Sequence, residues 1–120
     1  MYLTLPFKSE FSLNQRKNES ARVLAKYPDR VPIICERSHT ADHTCPNIDK
    51  KKYLVPNDLT LGQFLYVIRK RLKLSPEKAL FLFVNNKIPA STVLIGNLYA
   101  INKDSDNFLY VTYAQENTFG

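Results

Sequence analysis

One hundred and twenty residues, 44% of them hydrophobic and with 7 Phe and 7 Tyr among them, suffice for a single compact domain with a core of its own. The formal charge of +6 is uneven: residues 1–78 carry 15 Lys and Arg against 8 Asp and Glu, residues 79–120 carry 2 against 3, so the basic face belongs to the first two-thirds and favours an acidic partner, whether nucleic acid, anionic lipid or acidic peptide. Two cysteines exclude a disulfide framework, the start MYLTLPF lacks the features of a secretory signal, and the longest apolar run, residues 79–84, is far short of the ~20 that a membrane-spanning helix needs; the expected compartment is cytoplasmic.

The first predicted element is a helix. Ser12 followed by Gln15 is a capping-box pattern, and Leu13, Ala21 and Leu24 fall near helical spacing. The apolar stripe is thin and Arg16, Lys17, Arg22 and Lys26 occupy the other sides, so the helix is expected to rest on the surface of the domain. Pro28 breaks it by disfavouring helical geometry at Tyr27.

Two strands follow, VPIICE and KKKYLVP, separated by a polar loop over residues 37–49. Alternation in the second strand sends Lys50, Lys52 and Leu54 to one face and Lys51, Tyr53 and Val55 to the other. Lysines along a strand that closes on Pro56 predict a sheet edge.

The strongest helix pattern comes next. Thr60 with Gln63 forms a second capping box, and Leu61, Phe64, Leu65, Ile68 and Leu72 recur at helical spacing. Arg69, Lys70, Arg71 and Lys73 crowd its end, where positive charge suits the carbonyl terminus. A strand over residues 80–84, a turn at Asn85 and Asn86, a short helix over residues 92–100 and a strand over residues 108–113 complete the order. That order predicts an α+β fold of the ubiquitin-like β-grasp class, with a mixed four-stranded sheet and an extra N-terminal helical segment. Within one domain, residues 1–27 form that segment, 28–114 the β-grasp core and 115–120 a flexible tail ending in Gly120.

The blocks KYPDRVPIICE, DKKKYLVPNDLTLGQFLYVIRKRL, ALFLFVNN and FLYVTYAQENTFG resemble the autophagy ubiquitin-like modifiers, the family of the GABA-receptor-associated protein and the microtubule-associated light chain. The match runs from Phe7 to Gly120 with every block in family order. The resemblance implies that the protein is a substrate and not an enzyme. A cysteine protease bares the terminal glycine and later delipidates the conjugate, an activating enzyme adenylates it with ATP, and thioesters carry it to the amine of phosphatidylethanolamine. Gly120 is that glycine, and lipidation would place the protein on the autophagosome membrane.

The resemblance also implies capture of receptor and adaptor peptides of the form aromatic-x-x-aliphatic, added as a strand to the sheet edge. The first pocket would be built from Glu19, Val23, Pro32, Ile34, Lys52, Leu54 and Phe108, the second from Tyr53, Val55, Pro56, Leu59, Phe64, Val67 and Ile68. Arg30, Lys50, Lys52 and Arg71 would attract acidic residues flanking the motif. From periodicity alone, Phe64, Val67 and Ile68 read as plain core.

The chain departs from the family in the long loop RSHTADHTCPNID, where His39, His43 and Cys45 follow Cys35. The spacing is not that of a standard zinc finger, so no metal is expected and no cofactor beyond the covalent lipid. The amino terminus MYLTLP also matches poorly, in a segment that bears on membrane tethering and microtubule contact. An enzyme is disfavoured because no nucleophile-base set or phosphate-cradling glycine loop occurs among only 3 glycines. Two rivals stay open: a modifier conjugated to protein instead of lipid, and a basic nucleic-acid-binding module, the latter without an aromatic stacking sheet or a helix-turn-helix pattern.

Overall fold

A computed structural model describes residues 5–41 and 44–115. Its elements in order are α1 (Phe7–Glu10), α2 (Leu13–Lys26), β1 (Arg30–Arg37), β2 (Lys52–Pro56), α3 (Leu61–Leu72), β3 (Phe81–Phe83), α4 (Ile95–Asn102) and β4 (Leu109–Ala114). Both predicted capping boxes form. Ser12 Oγ accepts from Gln15 N at 3.2 Å while Gln15 Oε1 accepts from Ser12 N at 2.8 Å, and Thr60 with Gln63 does the same at 3.1 and 2.9 Å. α3 stops at Lys73, whose left-handed backbone (φ 58°) returns its N–H to the carbonyls of Arg69 and Lys70.

The sheet is mixed, with strand order β2-β1-β4-β3. β1 pairs antiparallel with β2 and parallel with β4, and β3 pairs antiparallel with β4, so β2 and β3 are the two edges. Alternation along β1 explains its unbroken burial from Val31 to Cys35. Val31, Ile33 and Cys35 join Phe64, Ile68, Ile95, Leu109 and Val111 in the main core, while Ile34 faces the opposite side and packs with Phe7 and Phe108. A strand covered on both faces reads as a continuous apolar run.

The second face is closed by α1 and α2. Phe7 meets Phe108 edge-on, with ring centroids 5.4 Å apart. Asp106, wholly buried, ties α2 to the turn before β4: one carboxylate oxygen accepts from Arg16 Nη1 at 2.6 Å and from the Tyr110 hydroxyl, the other from Phe108 N at 2.9 Å. Ser20 Oγ donates to the Asp106 carbonyl at 2.6 Å. Burial, followed by the Asp106 hydrogen bond, pushes the Tyr110 hydroxyl well above its ordinary range. On the far side, Gly96 lets the start of α4 approach Asn57, whose carbonyl accepts from Gly96 N at 2.8 Å; a Cβ there would lie 2.9 Å from Asn57 atoms.

Several sequence expectations are corrected in detail. α1 carries no signature that periodicity detects, since it is a single turn held by Phe7 and by contacts distant in sequence. β2 begins at Lys52, two residues later than expected. Lys51 does not share a face with Tyr53 and Val55, because Glu36 at 3.3 Å, Glu10 at 3.8 Å and the Leu5 carbonyl draw its ammonium toward α1. The short helix starts at Ile95, since Leu94 is engaged in an extended bridge to Thr60. β3 and β4 lie within a residue or so of their expected bounds.

Asp106→Ala is expected to lower the melting temperature more than Asp104→Ala. The first strips the Phe108 N–H and Tyr110 hydroxyl of their acceptor, at about 1–3 kcal/mol for each buried group left unpaired. The second removes a partly exposed pair with Lys8 (2.6 Å), worth about 0–1 kcal/mol, and the acceptor of one part-buried N–H, that of Asp106 (3.2 Å). Thermal melts of the two variants check the order. Partial burial works to raise the Asp104 carboxyl, but hydrogen bonds from Lys8 and from Asp106 N outweigh it and hold it below the usual carboxylate range. The Lys8 link therefore contributes stability above the ordinary Asp pKa of about 3.9 and loses it as pH falls through the lower folded value, which an acid titration of the wild type against Asp104→Asn follows.

Candidate functional site

β2 has an open border, because β1 occupies only one side of it. Beside it lies a cavity of about 230 Å³ lined by Glu19 and Val23 of α2, Pro32 of β1, Lys52, Tyr53 and Leu54 of β2, together with Lys50 and Phe108. Three elements meet there because α2 crosses the sheet face to which Pro32, Lys52 and Leu54 point. Six of the seven residues expected in the first pocket are thereby brought together. Ile34 is not one of them: wholly buried against Phe7 and Phe108, it supports the Phe108 wall from behind. Lys52 Nζ and Glu19 Oε2 pair at 2.8 Å along the wall, so the cavity has an apolar floor and a charged rim. Burying one large apolar side chain there would stabilise a complex by roughly 1.5–3 kcal/mol.

The second set lies on the other face of β2. Phe64 and Ile68 have no accessible surface and belong to the core. The surface that remains is carried by half-buried Tyr53, Val55 and Leu59, exposed Pro56, and Val67, which is 40% exposed. Tyr53 meets Phe64 edge-on at 5.5 Å, so the core residue sets the angle of the surface ring. Burial, then the nearby Cys35, pushes the Tyr53 hydroxyl up to about 12, and this hydroxyl is a buried side-chain oxygen without a hydrogen-bond partner among the described residues.

The four expected cations flank the edge in two ways. Lys52 and Arg71 are paired with acids, the latter through Nε to Asp49 at 2.8 Å, an interaction that holds the Asp49 carboxyl below its usual range. Arg30 and Lys50 lie over aromatic rings instead, 5.1 Å from Tyr27 and 5.3 Å from Tyr53. Lys50, read from sequence only as a source of charge, also borders the cavity. The cluster of Lys51 with Glu10 and Glu36 was not legible, since no spacing pattern joins residues so far apart in the chain.

The remaining sequence candidates are placed as follows. Cys35 and Cys45 are buried, and burial pushes the Cys35 thiol far above its ordinary range, so it is a poor nucleophile. His39 is exposed, and no group of three or more His, Cys, Asp or Glu among the described residues could hold a metal ion. His43 and Gly120 lie outside the described residues. No described helix is long and apolar enough to cross a membrane.

Comparison with known proteins gives this arrangement a context. The family described as "Autophagy protein Atg8 ubiquitin like" matches residues 15–120. The chain is similar to Autophagy-related protein 8 of Mycosarcoma maydis, 58% identical over 114 residues and covering 95% of each chain. It is as similar to Autophagy-related protein 8c of Arabidopsis thaliana, again 58% identical over 114 residues, with 95% of this chain and 94% of that one covered. Among solved structures, the crystal structure of Trypanosoma brucei ATG8 superposes with a TM-score of 0.85 at 38% identity, covering 93% of this chain and 95% of that one.

Tyr53→Phe removes a hydroxyl that has been taken out of water without compensation. The variant is expected to be more stable than the wild type by up to about 1–3 kcal/mol. Urea unfolding of both proteins reads the difference, and an unchanged or lower midpoint would mean that the hydroxyl has a partner in solution.

Proposed function

The chain belongs to the Atg8 family of ubiquitin-like autophagy proteins, and from that premise we propose that it is conjugated through Gly120 to phosphatidylethanolamine and captures aromatic-x-x-aliphatic peptides along β2. It is a ubiquitin-like modifier in autophagy, not an enzyme. The observation that carries the peptide reading is the juxtaposition of an unpaired sheet edge with the cavity between α2 and β2. An extended peptide would hydrogen-bond to the outer border of β2, place its aromatic side chain against Pro32, Leu54 and Phe108, and place its aliphatic one against Tyr53, Val55, Leu59 and Val67. Backbone pairing supplies affinity and the two apolar sites supply choice.

The rim residues act on encounter. Arg30, Lys50, Lys52 and Arg71 favour acidic residues beside the motif, and each exposed pair adds about 0–1 kcal/mol. Lys52 has to exchange Glu19 for the ligand, which limits its net contribution.

Conjugation through Gly120 rests on the family. A terminal residue without a Cβ threads an enzyme channel and meets a nucleophilic amine with little hindrance. The activating and conjugating enzymes and the cysteine protease are its proposed partners there. The product would carry two acyl chains, which at about 0.8 kcal/mol per buried CH₂ anchor a protein stably where one chain does not. Membrane attachment then needs no spanning helix.

Two outcomes test this reading. Replacing Lys52 and Leu54 together by alanine should abolish calorimetric binding of an aromatic-x-x-aliphatic peptide while circular dichroism stays native; undiminished affinity overturns the assignment. Incubation with activating and conjugating enzymes, ATP and phosphatidylethanolamine liposomes should give a lipid adduct by intact mass, and none from Gly120→Ala.

A further inference from the structure

Residues 73–80 connect α3 to β3 without regular structure, and Arg69 clamps them onto the helix. Its Nη1 donates to the Lys78 carbonyl at 2.7 Å, and its Nη2 donates to the carbonyls of Ser75 at 3.1 Å and Pro76 at 3.4 Å. The clamped stretch reads Ser75-Pro76-Glu77-Lys78, a hydroxyl followed by proline with a cation three residues on. Ser75 is half-buried, whereas Pro76, Glu77 and Lys78 are exposed. The Glu77 carboxyl is held below its usual range by its own backbone N–H and then by the Ser75 hydroxyl, so the hydroxyl serves an acceptor that solvent could replace. Ser75, Lys73, Lys78 and Gln115 border one cavity of about 410 Å³.

We propose that Ser75 is a phosphate acceptor for a proline-directed serine kinase, and that Arg69, Lys73 and Lys78 hold the resulting phosphate. The Ser75 oxygen attacks the γ-phosphorus of ATP, the bond to the bridging β–γ oxygen breaks, ADP leaves with the electron pair, and the hydroxyl proton passes to the kinase's base. The product adds about −1.5 to −2 charges and three strong acceptors at a position that now faces Glu77. Glu77 is repelled. Arg69 exchanges neutral carbonyls for a phosphate, to which its hydrogen bonds are roughly twice as strong. The modification thus releases the clamp and lowers the positive charge at the end of α3, beside Gln115.

The test uses the full chain with a proline-directed serine kinase, magnesium and ATP. One phosphoryl group per molecule is expected by intact mass, lost in Ser75→Ala and in Pro76→Ala, and kept in Ser75→Thr. In the phosphorylated protein, the phosphorus-31 titration should place the second phosphate pKa below its ordinary value of about 6, and Lys73→Gln with Lys78→Gln should move it back up. Absence of incorporation into the folded chain, or incorporation that survives Ser75→Ala, overturns the acceptor assignment. A phosphate that titrates at the ordinary value overturns the cradle.

Discussion

Burial of β1 on both faces is the constraint from which the rest of the arrangement follows. Its odd-numbered residues Val31, Ile33 and Cys35 need a helix over one side of the sheet, and Ile34 needs cover on the other. α3 and α4 supply the first cover, α1 and α2 the second. With β4 paired in parallel along one border of β1, β2 is left on the other with no further strand outside it among the described residues. The open edge and the cavity next to it are thus consequences of one strand's composition. A substitution that loosened α2 from β1 would disturb the cavity before it disturbed the main core.

The polar contacts on the second face make that cover specific. Phe7 and Phe108 provide apolar area, but area alone does not fix the angle at which a helix lies. The buried Asp106 carboxylate does so, because Arg16, Tyr110 and the Phe108 N–H converge on it from three directions. Arg16 belongs to α2, and Phe108 is a wall of the cavity. The same carboxylate therefore positions both the helix and the wall that face the proposed ligand. Lys51 performs a similar task for α1 through Glu10 and Glu36.

What sequence made legible was what local chemistry decides. Two capping boxes announced α2 and α3, β-branched runs announced β1, and lysines beside Pro56 announced an edge. The family resemblance supplied the residue sets around that edge. What stayed hidden depends on partners far away in the chain: Asp106 meets Arg16 across 90 positions, and Lys51 leaves its expected face because Glu10 and Glu36 compete for it. Ile34 illustrates the limit of transferring a residue set. The resemblance assigned it to the first pocket, yet its side chain is wholly buried against Phe7 and Phe108.

The fate of the basic residues bears on what kind of acidic partner the surface suits. A nucleic-acid groove needs cations aligned to track a phosphate backbone. The run at the end of α3 gives no such line. In the unmodified chain Arg69 donates to three carbonyls, Lys70 lies over the Tyr66 ring at 5.2 Å, and Arg71 is paired with Asp49. Near β2 the positive groups instead sit singly around an apolar recess, with Lys52 and Glu19 on its wall and Lys50 and Arg30 over neighbouring rings. Single charges around an apolar site suit a short peptide with a few acidic residues next to a hydrophobic anchor, because the anchor provides the free energy and each charge only biases the approach.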